Sequence, residues 1–218
     1  MIKGIKNKQR RNPTETRTRI LKEATKLFAV SGFAGNPISE IIRAAKVNKR
    51  MIYHYFGDKK GLYRAVFLQQ WGELKEWFDR AFRRRLEESG GRPPNSRELM
   101  SEALGIFFDF MASHRDFVRL MMWEGLEGGE VSRSLWADVR GPLYVQIEFL
   151  AKQAQEEGFL DRNLDPAHLI VSFLGVISFY FAYAPTLFDI LHKDPFDPAA
   201  LAERKRQVLK LLEGLYKG

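Results

Sequence analysis

The 218-residue chain contains no cysteine, which excludes disulfides, thiolate metal sites and a cysteine nucleophile. Its four histidines, His54, His114, His168 and His192, are scattered and never spaced to set two imidazoles on one helical face, so no metal is expected. The glycines between Gly125 and Gly129 follow no strand-like segment and precede no Gly-Lys-Ser/Thr, and no G-x-S-x-G is present. Phosphate-loop and serine-hydrolase chemistry thus lack a signature, and neither a catalytic site nor a cofactor is expected. Glu157, Asp161 and Asp165 cluster near a loop, where helix capping accounts for them. The most apolar stretch, Leu169 to Ala184, is short for a membrane span and carries Ser172 and Ser178, which favours a buried helix over a membrane contact. The basic start MIKGIKNKQRRNP leads into no apolar run and does not read as a secretory signal. A soluble cytoplasmic protein is expected.

Charge is present but unevenly spread. Residues 1–70 hold 16 Lys and Arg against 4 Asp and Glu, a net of +12, whereas residues 71–218 hold 19 against 23, a net of −4. A basic third on a mildly acidic remainder points to a nucleic-acid-binding module joined to another unit; a basic solvated face fits the charge alone equally well.

Strand-like alternation is nearly absent, and apolar residues recur at helical spacing, as in Ile20, Ala24, Leu27 and Phe28, or Phe67, Trp71, Leu74, Phe78 and Ala81. The pattern predicts an all-α protein with helices over 14–31, 37–45, 49–56, 59–88, 96–112, 115–125, 131–157, 166–183 and 198–216, and a short turn near 185–191. Asn36-Pro37, Asp165-Pro166 and Asp197-Pro198 each read as an N-cap followed by proline at the first helical position. Residues 1–13 are expected to be a basic disordered arm, 14–60 a basic three-helix module, and 61–218 a larger helical body.

The stretch ISEIIRAAKVNKRMIYHYF, residues 38–56, carries two short apolar stripes separated by a tight turn at Lys46-Val47-Asn48. Two short helices so joined make a helix-turn-helix, whose second helix enters the major groove of DNA. Asn48, Lys49 and Arg50 fall at the N-terminus of that second helix, the end that meets base edges. Lys or Arg can read guanine, and Asn adenine. Tyr53 and His54 follow one turn on, and Lys59 opens the next helix, in positions suited to phosphates. A small helical bundle with a basic surface is the plainer alternative, and the turn spacing weighs against it.

The residues Leu27-Phe28, Gly32-Phe33, Ile41, Ala45-Lys46-Val47, Ile52-Tyr53-His54-Tyr55-Phe56, Lys59 and Leu62 resemble the N-terminal pattern of the TetR family of bacterial transcription repressors. The resemblance covers about a quarter of the chain. It implies that Tyr53 and Lys59 contact phosphates, that Asn48, Lys49 and Arg50 contact bases or phosphates, and that His54 sits at the DNA backbone. Ser39, in the first of the two short helices, joins this candidate set. Three positions depart from the family's usual pattern. Lys46 stands where glycine is common and would take up a left-handed conformation. Pro37-Ile38 stands where a hydroxyl residue often opens the helix, and Arg50 replaces a small residue. The arm residues Lys3, Lys6, Lys8, Arg10 and Arg11 would add salt-dependent attraction to a duplex.

The resemblance makes residues 14–60 a helix-turn-helix DNA-binding domain and implies that 61–218 is a helical ligand-binding and dimerisation domain, with a ligand cavity and a dimer contact. Phe107, Phe110, Phe117, Met121, Trp123, Tyr144, Phe173 and Tyr180 are candidate lining for a small hydrophobic or aromatic ligand. The last two helices, about 166–183 and 198–216, are candidate dimer elements; the first is apolar on nearly all sides and needs cover all round. A monomer with a wholly internal core is the alternative. The reading is therefore a homodimeric repressor released from a palindromic double-stranded operator by a small apolar molecule. A low-specificity architectural DNA-binding protein and a small-molecule enzyme are the alternatives.

Overall fold

A computed structural model describes residues 13–88, 90, 94–135, 137 and 141–216. Residues 1–12 of the expected basic arm and Trp136 lie outside the described residues, and Pro13, assigned to that arm, is the first residue of α1. Eleven α-helices and a short 3-10 turn, Ala184–Thr186, are formed among the described residues, and the sole β-type pairing there is one isolated bridge between Leu160 and Tyr216. The α-helices are α1 (Pro13–Ser31), α2 (Ile38–Ala44), α3 (Lys49–Phe56), α4 (Lys59–Glu88), α5 (Ser96–Ser113), α6 (Arg115–Leu126), α7 (Glu130–Ser134), α8 (Gly141–Glu156), α9 (Pro166–Tyr183), α10 (Phe188–Leu191) and α11 (Pro198–Glu213).

The first three helices close on one apolar centre. Ile20, Ala24 and Phe28 of α1, Ile41 of α2, Ala45 just beyond it, and Ile52 of α3 are fully buried, and Leu62 and Val66 of α4 complete the cluster. Residues three and four apart on a short helix share one face, so Ile41 with Ala45 and Ile52 with the half-buried Phe56 suffice to seat α2 and α3. Arg19 binds the Ala45 carbonyl at 2.9 Å, placing a cation at the C-terminus of α2, where free carbonyls gather.

Two local expectations are corrected. Asn36 does not cap α2: it is buried, and its amide donates to the Leu27 and Gly32 carbonyls and the Ser31 hydroxyl. It therefore closes the end of α1, while α2 starts after Pro37 with no side-chain cap. The single helix expected over 131–157 is two, α7 and α8. Pro142 lies in the first turn of α8, where its missing N–H is harmless. Its ring disfavours helical backbone at the preceding residue, so a helix can begin there but not run through.

Helix α4 leaves the first domain and enters the body, contributing Gln70, Trp71 and Leu74 to its interior. There α5 is the central element, packed against α4, α6, α8, α9 and α11. Asn95 and Glu98 start α5 with a reciprocal capping box, which satisfies two otherwise free donors. Asp165 and Asp197 do cap α9 and α11, each followed by proline.

Helix α9 has a mean hydropathy of 1.7 over its most apolar window, of which 28% is buried. Its inner face, Leu169, Ile177, Tyr180 and Phe181, is covered within the chain, while Val171, Phe179 and Tyr183 lie open.

Candidate nucleic-acid interface and ligand cavity

Helix α3 is anchored by the fully buried Ile52, with Tyr55 half-buried beside it, and leaves its remaining polar side chains outside. Asn48 is its N-cap: Oδ1 accepts the Met51 N–H at 3.0 Å. A two-bond contact to adenine needs that same oxygen, so Asn48 can offer only its amide N–H groups without giving up the cap. Lys49 and Arg50 are exposed at the first turn. The Lys49 ammonium lies 5.6 Å from the Tyr53 ring centroid, a cation–π contact that holds both on one face. Tyr53 and His54 are exposed, and Ser39 lies exposed in the first turn of α2. Lys59 opens α4 with its ammonium 4.4 Å above the Phe33 ring. Burial lowers the Lys59 pKa from the ordinary lysine value, and the Glu127 carboxylate opposes that shift. An approaching phosphate would favour the charged form in the same way as Glu127. Lys46 has φ 50°, the left-handed conformation expected of it, which strains a residue with a Cβ.

The joint between this domain and the body was missed by sequence reasoning. The loop after α6 brings Glu127 to the turn after α1, where its carboxylate accepts the main-chain N–H groups of Phe33 at 3.1 Å and Ala34 at 3.0 Å. Arg119 of α6 donates to the Ala29 carbonyl at 2.7 Å, and Lys60 pairs with Glu130. Gly32, at φ 68°, permits the close approach: a Cβ there would lie 2.7 Å from Glu127 and 2.9 Å from Trp123. The glycine-rich segment 125–129 signals only a helix break in the sequence, and nothing local marks Glu127 as its working residue. Nearby, Tyr63 of α4 is buried without a well-formed hydrogen bond at its hydroxyl. Burial, and then Glu124 and Glu127, push its pKa well above the usual phenol value.

An apolar cavity of about 80 Å³ lies among α4, α5, α8, α9 and α11. Phe107, Tyr144 and Phe173 line it, together with Trp71, Leu104 and Leu169. The other five expected lining residues are elsewhere, for identifiable packing reasons. Phe110 and Phe117 are fully buried between α5 and α6, where they meet each other and His114 or Trp71. Met121 packs partly buried against the core, Trp123 stands at the Gly32 joint, and the Tyr180 hydroxyl donates to the Pro195 carbonyl at 2.6 Å. Beside the cavity lies an open groove of about 440 Å³ between α4, α5 and α8. No group of three or more potential metal-ligating side chains occurs among the described residues.

A helix-turn-helix head fixed to an all-helical body with an apolar cavity defines a DNA-binding regulator with a small-molecule unit. Residues 20–66 match the family described as bacterial regulatory proteins, tetR family, and residues 97–212 match the tetracyclin repressor-like C-terminal domain. The chain belongs to the TetR family, and it is a ligand-responsive, DNA-binding transcriptional regulator. It is 28% identical over 194 residues to the HTH-type transcriptional repressor NicS of Pseudomonas putida, covering 86% of each chain. It is 31% identical over 150 residues to the HTH-type transcriptional repressor SCO4008 of Streptomyces coelicolor, covering 69% of this chain and 70% of that one. The transcriptional regulator FadR from Bacillus subtilis, solved in complex with stearoyl-CoA, superposes with a TM-score of 0.64 at 16% identity, over 89% of this chain and 96% of FadR, a likeness of fold.

Proposed function

We propose that two copies of this chain grip a palindromic operator through paired α3 helices and release it when an apolar small molecule enters the body. The observation that carries the reading is the division of labour on α3. One buried side chain, Ile52, holds the helix, and Lys49, Arg50, Tyr53 and His54 are left free on its exposed surface. Lys49 and Arg50 stand at the end that reaches base edges, while Tyr53, His54, Lys59 and Ser39 are placed for phosphates.

Dimerisation is supported by the outer face of α9. Val171, Gly175, Phe179 and Tyr183 recur every four residues, three of them large and exposed, and the space beyond Gly175 is open. Leu211 of α11 adds an exposed apolar side chain. A second copy would cover this face and set the two α3 helices about 34–36 Å apart, the spacing of successive major grooves.

The cavity at 80 Å³ is smaller than the roughly 300–1,000 Å³ typical of ligand sites. Ligand entry therefore has to part α8 from α5 and α9. Since α4 forms one wall and also carries the DNA-binding head, the two states would differ in head placement. The ligand shifts that balance only by binding one state better.

The test is selection of duplexes from a random library by the full chain, followed by footprinting and sedimentation. One protected palindrome bound by two chains supports the proposal. Diffuse protection would make the protein architectural, and solitary chains with no enriched motif would end the proposal.

A further inference from the structure

We propose that the groove between α4, α5 and α8 is the mouth of the ligand cavity and that it selects a lipophilic cation. The assignment rests on the reading of the body as the ligand-binding unit and adds the charge class of the ligand.

Groove and cavity adjoin. Phe78 of α4, Ala103 of α5 and Leu150 of α8 line both. Among the described residues the inner chamber is lined by no charged side chain, so a charged group inside would be left unpaired at high cost. A ligand with an apolar body and one charged end must keep that end in the mouth.

The mouth has the electrostatics of a cation site. Among the described residues its charged lining is Asp79 and Glu102, one from each of two facing helices, with Gln146 the remaining polar side chain and no Lys or Arg. Glu102 has no ion pair or side-chain hydrogen bond among the described residues. Asp79 meets Lys75 one turn away at 2.6 Å. Both of those side chains are substantially exposed, and such a pair contributes little, so an incoming cation can displace the lysine.

Aromatic rings flank the carboxylates. Phe78 and Phe82 are one turn apart on α4 on either side of Asp79, and Phe149 stands across from them on α8; Phe82 is 45% and Phe149 59% exposed. Rings and carboxylates around an apolar hole attract a desolvated cation by charge and by cation–π contact. A carboxylate or phosphate-bearing ligand would meet two like charges at the same place.

Isothermal titration of the full chain with tetraphenylphosphonium and tetraphenylborate tests the proposal, because these ions share a shape and differ in the sign of their charge. Nonspecific attraction to a chain of net charge +8 favours the borate. The expected result is one phosphonium bound per chain at least tenfold more tightly than the borate. Joint replacement Asp79→Asn and Glu102→Gln should weaken the phosphonium at least fivefold and leave the neutral probe N-phenyl-1-naphthylamine unaffected. Equal or tighter borate binding, an unchanged phosphonium affinity in the double variant, or loss of dimer on phosphonium addition would overturn it, the last because a second copy would then occupy the groove.

The neutral probe separates this failure from failure of the cavity itself. Naphthylamine binding that is lost in Leu104→Trp, and in the gentler Ala103→Leu, keeps the chamber even if charge selectivity is absent. No binding of any of the three probes removes both.

Discussion

The Glu127 carboxylate accepts the Phe33 main-chain N–H at 3.1 Å, across 94 residues of sequence. With the neighbouring bond to Ala34 it makes a two-pronged latch from the body onto the turn between α1 and α2. That turn is also where Lys59 rests on the Phe33 ring. One loop of the body thus touches the same residues that hold Lys59, the lysine proposed to meet a phosphate, in place.

Glu127→Ala should release the latch. Two N–H groups lose their acceptor at an exposed site, so global stability should fall by only about 1 kcal/mol. Amide hydrogen exchange at Phe33 and Ala34 should accelerate well beyond that of the α1 core. Unchanged protection at both amides would show that the latch does not hold the turn in solution.

Lys46→Gly should stabilise the protein. The φ of 50° at Lys46 costs about 1–2 kcal/mol for a residue with a Cβ, and glycine's freer unfolded chain returns about half of that gain. A rise of up to about 1 kcal/mol in urea unfolding is expected. A loss of stability would mean that Lys46 makes a compensating contact.

Tyr53→Phe and Lys59→Ala should weaken binding to every duplex alike, and Lys59→Ala should flatten the salt dependence by about one unit. Retained affinity and slope in both variants would remove these residues from the interface. Lys49→Ala or Arg50→Ala should cost roughly 1–3 kcal/mol wherever one of them reads a base, and should relax preference at one position. If sequence preference is untouched in both, the pair binds phosphate.

Asp165 provides a pH-dependent contribution to the start of α9. The His168 N–H, and less strongly the Ala167 N–H, hold its carboxyl below the usual carboxylate range. A depressed folded-state pKa means that the contribution is complete above the ordinary value and is lost as pH falls through the folded one. Asp165→Asn keeps an oxygen acceptor but no charge, so it should melt below the native protein at neutral pH. The two should converge as pH falls below the ordinary aspartate value and through the lowered folded-state one, and a constant gap in melting temperature would refute the charge contribution.

Much of the first domain was legible in the chain. Helix limits for α1, α3 and α4 fall within a residue of those expected, because a short helix with one buried stripe is specified by nearby residues. The strained turn at Lys46 was legible for the same reason. Asn36 was not. The dipeptide Asn36-Pro37 has the form of an N-cap signal, but the amide instead turns back nine residues to the Leu27 carbonyl. Such a choice between two helix ends depends on where the chain goes next.

The body was legible as a class and not as a site. Three of eight expected cavity residues, Phe107, Tyr144 and Phe173, do line the cavity. Aromatic content cannot separate a wall from a core: Phe107 and Phe110 lie on one helix less than a turn apart, and only the second faces α6 and the ring of Phe117.

By itself the sequence determined most of the helices, the turn between α2 and α3 and the basic character of the head, since each depends on period, caps and charge within a few residues. The tertiary structure alone decided which phenylalanines face a void, which carboxylates share a groove and which loop holds the head. Those outcomes are set by the angles at which helices cross, and an angle between distant segments is not encoded in any local pattern.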